Sequence, residues 1–344
     1  MSRRDDVILE LRDLGIGYYR KGRPDFVFRH ITAGARRGEM IALMGRNGMG
    51  KSTLLRCITR MLDPLEGTME LEGTFLSRYS RRHLARKIAW VSTEPVGVQH
   101  LRVYDLVSLG RFPWTGWMWT RTDADRRAVW QAIESVGIMG LAGRDLYELS
   151  DGERQRAMIA RALAQDADLI VLDEPTAFLD LVNRYEIIHL LLDLSRREGK
   201  CIIFSTHDWH IATGEADLIW LMDEEGWISG SPEDLALANR FERLVDSDTM
   251  NYDPRTGQVK LVREPVMKVS VQGEGEAAFW TRKALERIGC TLVTHHPEII
   301  ITAVDRAEGV MWQVRRKTDT RQFTSLYELV HFILGNHSGN GNYQ

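Results

Sequence analysis

Residues 45–53 read GRNGMGKST, placing three glycines, a lysine and two hydroxyl side chains between two apolar stretches. Residues 40–44 (MIALM) precede the loop; Leu54, Leu55, Cys57 and Ile58 follow it. A short buried strand, a glycine-rich turn and a new helix make a setting for a triphosphate. The glycines allow a tight turn whose N–H groups point at phosphate oxygens, and the helix adds the positive end of its dipole. Lys51 brings a full charge to the β- and γ-phosphates, and Ser52 offers a hydroxyl to Mg²⁺. Gly45, Asn47, Gly48, Gly50, Lys51, Ser52 and Thr53 are the candidate phosphate-binding residues.

A loop of this kind predicts a carboxylate for the metal at the end of another buried strand. The segment LIVLDEP supplies one in Asp173, which would hold Mg²⁺ through water. Glu174 beside it is placed to polarise an attacking water as general base. The two halves together predict a nucleoside triphosphatase using Mg²⁺.

Short apolar strands must carry these residues. Residues 7–11, 26–31, 40–44, 68–71, 88–91, 169–172, 201–205 and 218–222 read as strands. Helical pattern follows Lys51, dominates residues 103–164 except around 111–120, and returns at 182–197, where Ile187, Ile188, Leu191 and Leu194 share a face. Strands alternating with helices predict an α/β fold with a mainly parallel sheet. The expected organisation is a nucleotide-binding domain over residues 1–250 with a helical subdomain at about 95–165. A linker at 251–265, a small α+β domain at 266–335 and a disordered Gly/Asn-rich tail at 336–344 follow. The small domain reads β-α-β-β-α, with Trp280, Ala284 and Ile288 on one helical face and Leu326, Leu329, Val330 and Ile333 on another.

The chain has 344 residues, 44% of them hydrophobic and 27% charged, with a formal charge of −3, which suits a globular protein and argues against a general nucleic-acid surface. Cys57, Cys201 and Cys290 show neither a disulfide framework nor zinc-ligand spacing, and a reducing compartment suits them. The charged start, MSRRDDVILELRD, does not read as a signal peptide, and no run is long and apolar enough to span a bilayer. Adjacent His295 and His296 would point to opposite faces of a strand, a poor arrangement for one metal.

The octet LSDGERQR, residues 149–156, closely resembles the signature sequence of ABC ATPases, and residues 7–240 follow that family's order of motifs. The resemblance implies a RecA-like, mostly parallel P-loop core with an antiparallel β part and a helical signature subdomain. It implies that Tyr18 stacks on adenine, that AFLD ending at Asp180 is the loop crossing a dimer interface, and that His207 is the switch histidine at the γ-phosphate. It also implies a head-to-tail homodimer, in which ATP lies between one phosphate loop and the partner's helix tip bearing Ser150, Gly152 and Glu153. Asp151 and Glu153 depart from the usual Gly and Gln, placing acid near a polyphosphate unless the carboxylates face away or pair with Arg154 or Arg156. The family's Mg²⁺-touching glutamine is missing from WVSTEPVGV, which leaves its position to Glu94 or Thr93, with Glu94 the assignment.

The stretch LGRFP at residues 109–113 resembles ATP-binding subunits of importers for iron–siderophore, haem and cobalamin complexes. The implied partners are a polytopic membrane permease and, indirectly, an external substrate-binding protein. The implied location is the cytoplasmic face of the inner membrane. Exposed Trp114, Trp117 and Trp119 would suit a docking surface, and Arg78, Arg81, Arg82, Arg86 and Lys87 read as a solvated face or a surface for lipid headgroups. Exporter, DNA-repair and translation ATPases are the alternatives. The stretch from Lys51 to Asp173 leaves no room for the coiled coils or zinc modules of repair ATPases, and translation ATPases normally carry two cores where this chain has one phosphate loop.

Overall fold

Apolar alternation carries two strands, β1 (Val7–Arg20) and β2 (Arg23–Arg36), much further than residues 11 and 31. They pair as an antiparallel hairpin, with bulges around Leu11, Leu14 and Ile16. The computed structural model describes residues 6–92, 100–115, 121–242, 249–253, 257–306, 309–317 and 319–338. It divides into two units, Met1–Leu244 and Val245–Gln344.

In the first unit β3 (Met40–Gly45) leads through the glycine loop into α1 (Lys51–Ile58). Next come β4 (Glu66–Leu71), β5 (Thr74–Phe75), α2 (Arg81–Leu84) and β6 (Ile88–Val91). The helical part holds α3 (Val103–Leu109), α4 (Asp123–Ser135) and α5 (Asp151–Ala164). The core resumes with β7 (Leu169–Leu172), α6 (Leu181–Glu198), β8 (Cys201–Ser205), α7 (Trp209–Glu215), β9 (Leu218–Asp223), β10 (Gly226–Gly230) and α8 (Pro232–Leu237).

The main sheet has the order β10-β9-β3-β8-β7-β6 and is parallel except for β10; the other sheet is antiparallel, β2-β1-β4-β5. Strands β3, β7 and β8 are covered on both faces, so they are apolar throughout rather than alternating. Ile41, Leu43, Val171 and Ile203 share one cluster with Leu54, Leu55 and Ile58 of α1 and with Ile8, Leu11, Ile16 and Ile31 of the antiparallel sheet. Each fully buried aliphatic side chain contributes about 1.5–3 kcal/mol, so α1 is held by its inward face.

The turn at Arg111–Thr115 is joined to α2 by side chains. Arg82 Nε and Arg86 Nε each donate to Pro113 O at 3.0 Å, and Arg82 also reaches Thr115 O at 2.6 Å. Trp114 lies under the Arg86 and Arg111 guanidinium groups, 4.5 and 5.0 Å from its ring centre. Two residues expected on a solvated or lipid-facing stretch are therefore occupied within the fold, and Lys87 pairs with Glu72 at 3.0 Å. Arg111 of LGRFP is buried, donating to Asp125 at 2.9 Å and to Ala164 O at 3.0 Å. Burial pushes the Asp125 carboxyl up, but Thr122 and Arg111 outweigh it and hold the group below the usual range. Trp117 and Trp119 lie outside the described residues.

In the second unit, residues expected to form a linker make a hairpin, β11 (Met250–Asp253) with β12 (Gln258–Leu261). Tyr252 of β11 is buried. The α+β part comprises β13 (Lys268–Gln272), α9 (Gly275–Arg287), β14 (Thr291–Leu292), β15 (Ile299–Arg306), β16 (Gly309–Arg316), β17 (Asp319–Phe323) and α10 (Leu326–Ser338). Its sheet runs β14-β13-β15-β16-β17, two strands more than the expected pattern. Trp280 is 60% exposed, because the buried face of α9 runs through Ala278, Thr281 and Leu285 instead. Trp312 donates to Thr281 Oγ1 at 2.7 Å inside this core. Residues 336–338, expected in the tail, belong to α10; the rest of that expected tail lies outside the described residues.

Candidate active site

Three adjacent parallel strands, β3, β8 and β7, end at the same edge of the sheet, where open α/β sheets form their ligand crevices. Strand β3 delivers the glycine loop, β7 delivers Asp173 and Glu174, and β8, lying between them, delivers Ser205 and His207.

The loop can exist only with glycine at its ends. Gly45 takes φ +153°, and a Cβ there would lie 2.6 Å from Met222 O. Gly50 takes φ +102° at the helix start, with Val27 Cγ1 2.7 Å from a Cβ. Backbone thereby occupies the space that side chains would fill. Asn47 and Gly48 are exposed at the crest of the loop, Ser52 is exposed on the first turn of α1, and Thr53 is buried.

Lys51 is buried, and its Nζ donates to Gly45 O at 2.8 Å and Arg46 O at 3.2 Å. Burial draws its ammonium below the usual lysine range, while Glu174 and Asp173 pull the other way. Tyr18 comes from β1, is 40% exposed, and its hydroxyl lies 3.3 Å from Thr53 Oγ1.

Ser205 organises the two carboxylates. Its Oγ donates to Asp173 Oδ1 at 2.7 Å and accepts from the Glu174 backbone N–H at 2.8 Å. Glu174 takes φ +44°, an uncommon conformation for a side-chain-bearing residue. Its Oε1 lies 3.0 Å from His207 Nε2. Lys51, Ser52, Asp173, Glu174 and His207 thus share one edge of the sheet. The exposed Ser52 hydroxyl and the half-buried Asp173 carboxylate offer the hard oxygen donors that Mg²⁺ prefers, and phosphate ligands complete such sites. Among the described residues no group of three or more His, Cys, Asp or Glu could hold a metal by itself. Glu94 and Thr93 lie outside the described residues.

The remaining candidates form a second group. Ser150 caps α5 in a capping box: its Oγ accepts from Glu153 N at 3.3 Å, and Glu153 Oε2 accepts from Ser150 N at 2.9 Å. Asp151 pairs with Arg154 at 3.1 Å; Glu153 pairs with neither arginine, and Arg156 goes to Glu186 at 2.6 Å. Asp180 caps α6 by accepting from Asn183 N at 2.8 Å. Gly152 lies against that same Asn183, whose Oδ1 would be 2.8 Å from a Cβ. The tips of α5 and α6 are therefore neighbours, and Phe178, Leu181 and Val182 beside them are exposed.

Comparison with known proteins agrees with this fold. Residues 28–177 match the ABC transporter family, and residues 266–334 match the Iron ABC transporter C-terminal domain. The achromobactin transport ATP-binding protein of Dickeya dadantii is 36% identical over 225 residues, 65% of this chain and 82% of its own. The ferric enterobactin transport ATP-binding protein of Escherichia coli is 32% identical over 250 residues, 72% of this chain and 90% of its own. The chain belongs to the ATP-binding proteins of ABC transporters. Among solved structures, cbiO1 of Clostridium perfringens, part of the cbiONQ transporter complex, superimposes with a TM-score of 0.60. It is 30% identical and covers 73% of this chain and 98% of its own. A transporter chain solved in an inward-facing conformation shares the fold over 90% of this chain and 98% of its own, with a TM-score of 0.61 and 22% identity.

Three residues of this ABC protein escaped the sequence reading. Ser205 ends a strand in FSTHD, and a hydroxyl at a strand end beside a carboxylate strand was the available signal. Asn183 against Gly152 and Arg184 against Asp208 carried no local signal, because those two neighbours are remote in sequence. No helix among the described residues is long and apolar enough to cross a membrane.

Proposed function

We propose that this ABC protein is the ATP-hydrolysing motor of an importer for a metal chelate of the iron–siderophore, haem or cobalamin type. Two copies would work head to tail at a polytopic permease on the cytoplasmic face of the membrane, fed by an external binding protein. The observation that carries this reading is the match of residues 266–334 to the Iron ABC transporter C-terminal domain, joined to an ABC core. Relatives named for achromobactin, ferric enterobactin and cobalamin transport support it.

In this reading the glycine loop and Lys51 hold the triphosphate, Tyr18 stacks on adenine, and Ser52 and Asp173 hold Mg²⁺, with Glu94 as its further contact. Mg²⁺ held by these oxygens would supply neutralisation of the negative charge on the phosphates. Glu174 takes a proton from the attacking water, and His207, paired with it, faces the γ-phosphate. Asp173 is pinned through Ser205, so metal ligand and base keep a fixed relation. Ser150, Gly152, Glu153 and Asp180 stand apart as a second group, which fits ATP closed by the other copy.

Glu174→Gln tests the site. ATP binding should persist while hydrolysis falls roughly 100-fold or more, and the ATP-bound dimer should accumulate on a sizing column. Undiminished turnover removes Glu174 from the role of base. Recovery of a polytopic permease with the tagged chain tests the transport assignment; recovery of ribosomes or DNA instead would sink it.

A further inference from the structure

Asp208, next to His207, is fixed from two sides. Its Oδ1 accepts from His210 N at 3.0 Å and Ile211 N at 3.2 Å, capping α7, while Oδ2 accepts from Arg184 at 2.7 Å. Arg184 also donates to Leu179 O at 3.3 Å, in the backbone just before the Asp180 cap. Its Nε is buried and finds no acceptor among the described residues. Burying an unsatisfied N–H is costly, so the guanidinium is held in place by its two other contacts. Glu174, Arg184, His207 and Asp208 line one cavity of about 400 Å³.

We infer that Arg184 is a positioning residue for hydrolysis, fastening the loop before Asp180 to the loop that carries His207. The contacts run unbroken from Leu179 O through Arg184 to Asp208, then along one peptide to His207 and across 3.0 Å to Glu174. A change in the position of the Leu179–Asp180 loop is thereby delivered to the histidine–glutamate pair. The charges are screened only in part, with side chains 34% and 21% exposed. The arginine reaches no reacting atom; it sets where His207 stands. The inference rests on the roles proposed for Glu174 and His207.

Steady-state hydrolysis by the full chain tests it. Arg184→Met is expected to lower kcat about tenfold or more with KM for ATP within about twofold, since misplacing a catalytic group costs rate rather than binding. Arg184→Lys, which keeps the charge toward Asp208, should recover most of the loss. Because the effect passes through the histidine, Arg184→Met should change little in a His207→Ala background. The His207 imidazole proton resonance should also move in Arg184→Met while that of remote His30 stays. Unchanged kcat, equal losses on both backgrounds, or an unmoved His207 resonance overturns the inference. If Arg184→Met fails to fold, Asp208→Asn, which retains the cap oxygen, carries the same measurements. Full hydrolysis by His207→Ala alone would refute the histidine's role itself, a failure visible before Arg184 is altered.

Discussion

The N-terminus of α1 and that of α5 are both suited to an anion, yet they are built in opposite ways. The first is opened by Gly50, which offers no side-chain cap, and carries a buried lysine with no acid in its first turn. The second is closed on itself: Ser150 and Glu153 satisfy one another, and both Asp151 and Glu153 lie in the first turn. One tip carries a lysine and no acid, whereas the other already has its own carboxylate on the N–H of Ser150. A helix dipole alone does not make two equal phosphate sites. In the proposed reading, ATP binds first to the lysine-bearing tip, and only afterwards does the α5 tip of a second copy accept it, against local negative charge.

Lys51→Ala should break the comparison most severely. Losing a charge-assisted contact of about 1.5–3 kcal/mol would raise the Kd for ATP roughly 10- to 100-fold, measured by nucleotide titration. Unchanged affinity would mean that α1 is no more a phosphate seat than α5. The same lysine sets a pH signature: its charge is lost as pH rises through a lowered pKa. Affinity should therefore decline at a lower alkaline pH than an exposed lysine would set, and Lys51→Arg should remove that decline. Ser150→Ala addresses the other tip, where loss of the cap should cost about 1 kcal/mol of stability in thermal or denaturant unfolding. No loss would show that the reciprocal cap is ornamental. Glu153→Gln is the finest probe. It keeps an acceptor for Ser150 N but removes a charge, so ATP-driven dimerisation should strengthen roughly two- to fivefold, less at high salt. Weaker dimerisation would mean that the Glu153 charge does not oppose the approach of the α5 tip to ATP.

The parts legible in the sequence are those whose meaning is local. The glycine loop and the strand before Asp173 lie within a few residues of what they act on. Ser205, Arg184 and Arg82 were not legible, because each acts on a partner that only the fold brings near. Composition at residues 251–265 gave no sign of the pairing between β11 and β12, because turn residues there hide the short strands on either side. Trp280 misled by size: an aromatic ring suggests a buried face, but the helix phase is set by Ala278, Thr281 and Leu285. The β17 strand was invisible because its first four residues are exposed and show no apolar alternation.

The joint between α2 and the Arg111–Thr115 turn grips chiefly through main-chain oxygen atoms of Pro113 and Thr115. Carbonyl groups look alike whatever residue bears them, so the gripping arginines cannot distinguish one amino acid from another at those two places. Drift in sequence should therefore be lopsided across this seam: limited at 113 and 115 by the room their buried side chains occupy rather than by the arginines, and restricted at Arg82, Arg86 and Trp114, whose flat ring lies under two cations.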